Sequence, residues 1–62
     1  MTPGLRVRLR EAVVLIGLGL ARDRWSAGAE FTVLGVFRGN VVVRTAYGDT
    51  FAVPPRLLEA CR

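Results

Sequence analysis

The sequence predicts an all-β domain built around a three-stranded meander over residues 31–53. Two Gly-polar dipeptides, Gly39-Asn40 and Gly48-Asp49, stand nine residues apart and punctuate a run rich in Val, Phe and Thr. Glycine and asparagine reach positive φ at little cost, so each dipeptide signals a hairpin turn. A third observation is Leu5-Arg-Val-Arg-Leu-Arg10, which alternates apolar and basic residues with period two. That is the pattern of a strand with one face in a core and one in water.

Taken in order, Pro3-Gly4 breaks the chain before the first strand. Leu5, Val7 and Leu9 then point inward, and Arg6, Arg8 and Arg10 line the outer face at intervals of ~7 Å. Residues 11–30 are less determinate. The short apolar run Glu11-Ala-Val-Val-Leu-Ile16 suits a helix or a strand. Gly17 and Gly19 weaken a helix by about 1 kcal/mol each, and the β-branched residues favour a strand. An irregular two-armed hairpin with Arg22-Asp23-Arg24 near its tip fits better than a loop of that length. Ala27-Gly-Ala-Glu30 turns into a strand over Phe31–Phe37. Gly39-Asn40 reverses the chain into Val41–Tyr47, and Gly48-Asp49 reverses it again into Thr50–Val53. Pro54-Pro55 cannot donate ladder hydrogen bonds and ends the sheet. Arg56-Leu-Leu58 suits one 3₁₀ turn, and Leu58 to Cys61 a short closing strand.

This order of elements resembles the SH3 domain, which runs strand, long RT hairpin, meander, 3₁₀ turn and last strand. Ser26-Ala-Gly-Ala-Glu-Phe-Thr-Val-Leu34 is similar to the family's approach to its second strand. Ala52-Val-Pro-Pro-Arg-Leu-Leu-Glu59 is similar to its closing segment. The resemblance implies a single domain over residues 1–62: a five-stranded SH3-like barrel with an RT-type hairpin. It does not imply the family's polyproline-helix binding, whose groove is built from clustered aromatics. Leu57 stands where the family has its closing tyrosine. The aromatic-rich first segment is replaced by Leu5-Arg-Val-Arg-Leu9, and Phe37-Arg-Gly-Asn-Val41 lacks the paired tryptophans.

Composition excludes much chemistry. The 62 residues contain no histidine, lysine or glutamine. That removes Ser-His-Asp and Cys-His arrangements, Schiff-base chemistry and the P-loop amine. A lone cysteine, Cys61, builds no disulfide framework within the chain, though it could tether two copies under oxidation, and without histidine it makes no zinc site. The carboxylates Glu11, Asp23, Glu30, Asp49 and Glu59 are scattered without catalytic spacing. The expectation is a non-enzyme with no cofactor and no metal. The longest apolar stretch, Ala12 to Ala21, has ten residues, against the ~20 that span a bilayer. Arg22-Asp23-Arg24 stands where a signal-peptide cleavage site would begin, so the expected compartment is the cytoplasm, with no membrane association.

Net charge is +4, carried by nine arginines, a usage expected of GC-rich coding in a bacterium or its phage. The sign favours an anionic partner. Arg6, Arg8 and Arg10 on one strand face, joined across the sheet by Arg38 and Arg44, would bind the phosphates of DNA or RNA. Five such contacts give a log-affinity slope against log salt of about −4 to −5 on duplex DNA. The alternative is a solvated face laced with Glu30, Asp49 or Glu59. Trp25 and Tyr47 suit base stacking, or simply core and rim. A separate expectation comes from the 52% hydrophobic content and mean hydropathy of +0.37. A domain this short buries only about 60% of its unfolded surface, so an apolar patch is left over. Val13, Leu15, Ile16, Leu18, Leu20 and Trp25 are its candidates, forming a homo-oligomer or a protein-partner interface.

Overall fold

The strands that the sequence pattern predicts lie in two antiparallel sheets in the computed structural model, which describes residues 2–16 and 22–61. They are β1 (Arg6–Leu9), β2 (Val13–Ile16), β3 (Arg22–Trp25), β4 (Glu30–Phe37), β5 (Asn40–Arg44), β6 (Thr50–Val53) and β7 (Leu58–Ala60). One 3₁₀ turn, Pro55–Leu57, precedes β7. The larger sheet has five strands in the order β6-β5-β4-β1-β7, and β2 pairs with β3 in a sheet of its own. The sheet does not close into the expected barrel, because β6 and β7 are its two edges. Pro54 and Pro55 lack the donors to prolong β6, and β7 has only three residues.

Alternation decides what is buried. Val7 and Leu9 of β1, Phe31 and Val33 of β4, Val41 and Val43 of β5, and Phe51 and Val53 of β6 all face the core, with Leu58 of β7. Each loses nearly all its exposure, which is worth about 1.5–3 kcal/mol per side chain. Leu5 is only half-buried at the margin. The indeterminate run before Ile16 is strand, in register with β3 through Val13↔Trp25, Val14↔Arg24, Leu15↔Asp23 and Ile16↔Arg22. Arg22-Asp23-Arg24 therefore begins the second arm of the hairpin, with Arg22 across from Ile16 at the end near the tip. Leu15 and Trp25 hold the hairpin on the core. The Trp25 ring meets Phe31 at 5.2 Å and Phe51 at 5.8 Å between centroids, both edge to face, a geometry worth ~1 kcal/mol per pair beyond burial.

Both meander turns differ from the expected dipeptides. Phe37 pairs with Asn40, so Arg38 and Gly39 are the central residues of the first turn. Their φ values of 52° and 80° are those of a type I′ turn. The reason lies in the register of the core, which sets Val33 across from Val43. A ladder started from Gly39-Asn40 would miss that alignment by three positions, whereas one started from Arg38-Gly39 misses it by one. A bulge absorbs the mismatch: Leu34 and Gly35 together oppose Val42. The second reversal is a three-residue loop, Ala46 to Gly48. The Thr45 N–H donates to the Asp49 carbonyl at 2.9 Å, and the Gly48 N–H to the Thr45 carbonyl at 3.1 Å. Gly48 takes φ 89°. The Thr45 side chain, 6% exposed, accepts from the Tyr47 and Asp49 N–H groups, each at 3.2 Å. β5 therefore stops at Arg44, and Tyr47 sits in the loop, 86% exposed.

Candidate nucleic-acid interface

The outer face of the five-stranded sheet carries the predicted cations. Strand pairing sets Arg6 beside Thr32, Thr32 beside Arg44, and Arg44 beside Thr50, in one row across β1, β4, β5 and β6. Two strand spacings separate the Arg6 and Arg44 backbones, about 10 Å. Among the described residues Arg44 makes no ion pair, and its side chain is exposed.

The neighbouring arginines are engaged. Arg6 Nη2 lies 3.1 Å from Glu30 Oε1, and Arg8 Nε lies 2.9 Å from Glu59 Oε1. The hydrogen bond from Arg8 to Glu59, reinforced by the carboxylate's charge, raises the Arg8 pKa above the ordinary arginine value. Arg10, just past the end of β1, donates from Nε to the Leu58 carbonyl at 3.0 Å. The expected stripe of three free arginines is therefore a mixed-charge surface. Both ion pairs are about half exposed, so each contributes only ~0–1 kcal/mol. The Arg6 pair is the longer and more exposed of the two and is the one that yields to a competing phosphate.

Arg38 is not next to Arg44. It occupies the β4–β5 turn, while Arg44 ends β5, about 13 Å along the strand from Asn40. Instead it joins Phe37, with the guanidinium carbon 5.3 Å from the ring centroid. Phe37 is 63% exposed, although its place in an apolar run suggests a core residue. It lies where β4 runs beyond the core, and Leu34 and Val36 beside it are also exposed. Register places Phe37, Gly35 and Thr32 on the outer face of β4, and Asn40, Val42 and Arg44 on that of β5. Gly35 has no side chain, and a Cβ there would meet nothing. The face thus forms a shallow track from an aromatic–guanidinium pair at the turn to Arg44 and Arg6 at the far end.

The predicted apolar interface divides. Leu15 is buried in the core, 4% exposed, so it is corrected from contact residue to core residue. Val13 and Trp25 are half-buried against the same core, so Trp25 does not offer a free stacking face. Ile16 is exposed, as is Val14, which the sequence did not single out as a site. Leu18 and Leu20 lie outside the described residues. Glu30 and Glu59 are arginine partners, and the described residues contain no group of three or more metal-ligating side chains. Among the described residues no helix is long and apolar enough to cross a membrane.

Compared with known protein families, curated proteins and solved structures, the chain gives no match.

Proposed function

We propose that this chain is a non-catalytic, SH3-like interaction module that binds single-stranded nucleic acid along the outer face of β4 and β5, largely without base specificity. The SH3-like part is supported by the strand order, by the separate hairpin between the first and second sheet strands, and by the 3₁₀ turn before β7.

The observation that carries the ligand is the exposed Phe37 ring with the Arg38 guanidinium over it, at one end of a face that leads to Arg44 and Arg6. A base stacks on the ring and the arginines take phosphates, the combination by which single strands are held without sequence readout. Three phosphate contacts on a single strand give a log-affinity slope against log salt of about −2. That is shallower than five free arginines would give, because Arg8 stays with Glu59 and Arg10 with Leu58.

Fluorescence anisotropy with labelled oligo(dT) and with a duplex, at several salt concentrations, tests the reading. The single strand binds with a slope near −2, and Phe37→Ala weakens it about five- to 150-fold, the loss of one stacked base at ~1–3 kcal/mol. Absence of binding at low salt, or full binding by Phe37→Ala, removes the reading. A second reading, self-association through the outer face of β2, is supported by the exposed Val14 and Ile16. Sedimentation of a strict monomer at high concentration removes that one.

A further inference from the structure

Strand β3 has an open edge. It pairs with β2 on one side, and among the described residues its other side makes no backbone hydrogen bond. Register sets Arg24 across from Val14 and Arg22 across from Ile16, so both arginines project to the outward face. Asp23 pairs with Leu15 and so sits on the opposite, core-side face. The outward face of the hairpin therefore carries two cations ~7 Å apart on β3, and neither pairs with a described carboxylate.

An open edge invites another strand, and the charges decide which one. Addition of a second copy of β3 about a twofold axis keeps like faces together. Every antiparallel register that overlaps the arginines then sets Arg22 against Arg24 of the other copy, or one of them against itself. Directly opposed like charges destabilise a sheet, so the edge repels its own kind. The complementary strand carries carboxylates on alternate residues.

We infer that the outer edge of β3 is a docking site for an extended acidic peptide, added as a strand. Its backbone completes the open hydrogen-bonding edge of β3. Its alternate Glu or Asp side chains lie across from Arg22 and Arg24 and accept charge-assisted hydrogen bonds from their guanidinium groups. The residue between them falls beside Asp23 and is uncharged. This site is separate from the Phe37–Arg44 track and does not depend on it.

The test is an amide-exchange and chemical-shift titration of the whole chain with a synthetic peptide alternating Thr and Glu, alongside its counterpart with Gln for Glu. Expected is added exchange protection confined to the amides of Arg22–Trp25 and their neighbours, with the Gln peptide at least about tenfold weaker. Arg22→Glu with Arg24→Glu, both at exposed positions, should lose the acidic peptide and gain a peptide alternating Thr and Lys. Phe37→Ala should leave peptide binding unchanged while weakening nucleic-acid binding. Protection elsewhere on the molecule, equal binding of the Gln peptide, or no reversal on charge swap overturns the inference. So does the same β3 protection produced by oligo(dT), which would mark the arginines as a nucleic-acid contact.

Discussion

Replacing Thr45 by Val should destabilise the domain more than replacing it by Ser, the reverse of what hydrophobicity suggests for a residue that is 6% exposed. The Thr45 Oγ1 accepts two N–H groups, from Tyr47 and Asp49, each at 3.2 Å. Valine keeps the shape and removes both acceptors. At ~0.5–1.5 kcal/mol for each lost hydrogen bond, the cost is about 1–3 kcal/mol. Serine keeps the oxygen and loses one methyl group, about 0.8 kcal/mol. A domain of this size shifts its Tm by about 4–8 °C per kcal/mol. Valine therefore lowers Tm by roughly 4–24 °C and serine by roughly 3–6 °C. Thermal unfolding followed by far-ultraviolet dichroism and by Trp25 fluorescence measures both. A Thr45→Val protein as stable as Thr45→Ser would show that water satisfies the two loop amides and that the hydroxyl has no structural part.

Three further outcomes follow from the same geometry. Arg38→Asn relieves the positive φ of a non-glycine residue, worth ~1 kcal/mol, and gives up a cation–π contact worth ~0.5 kcal/mol. Chemical denaturation should show equal or slightly greater stability, while anisotropy shows weaker oligonucleotide binding. Glu30→Gln releases Arg6 from its ion pair, and should change stability by less than about 1 kcal/mol while tightening single-strand binding at low salt. Asp23→Asn with Arg24→Glu converts the self-repelling edge into a self-complementary one, with Arg22 facing the introduced carboxylate of another copy. Sedimentation should then show a concentration-dependent dimer that the unaltered β3 edge does not form.

Local pattern made most of the architecture readable. The alternation of Leu5 to Arg10 and the spacing of the glycines are local signals, and the strands they imply are present within a residue or two, except that β5 ends at Arg44, three residues before the expected Tyr47. What stayed hidden depends on pairing between distant segments. Arg6 meets Glu30 across 24 residues, and Arg8 meets Glu59 across 51. No window of sequence shows those ion pairs, so the stripe reads as free charge until the register is known. Phe37 and Leu15 exchange roles for a related reason. Each sits in an apolar run, and only the register of strand pairing decides which one faces the core: Leu15, across from Asp23, turns inward, and Phe37, across from Asn40, turns outward. The turn at Arg38 was displaced from the Asn40 signal because the alignment of Val33 with Val43 outweighed a local preference. Asn40, a residue suited to positive φ, lies in β5 instead.

The bulge at Leu34 separates two properties that a β-hairpin usually ties together. Remove Leu34 alone and the ladder runs unbroken from Thr32 to Phe37, with Phe31, Val33 and Val36 on one side as before. The core composition does not depend on this residue. The bend does, because a bulge adds local twist and curvature to its strand. Leu34 thus encodes how far the end of β4, with Phe37 and Arg38, leans relative to the row of Arg6 and Arg44. A one-residue change of length at this point would re-aim the aromatic end of the track without repacking the interior.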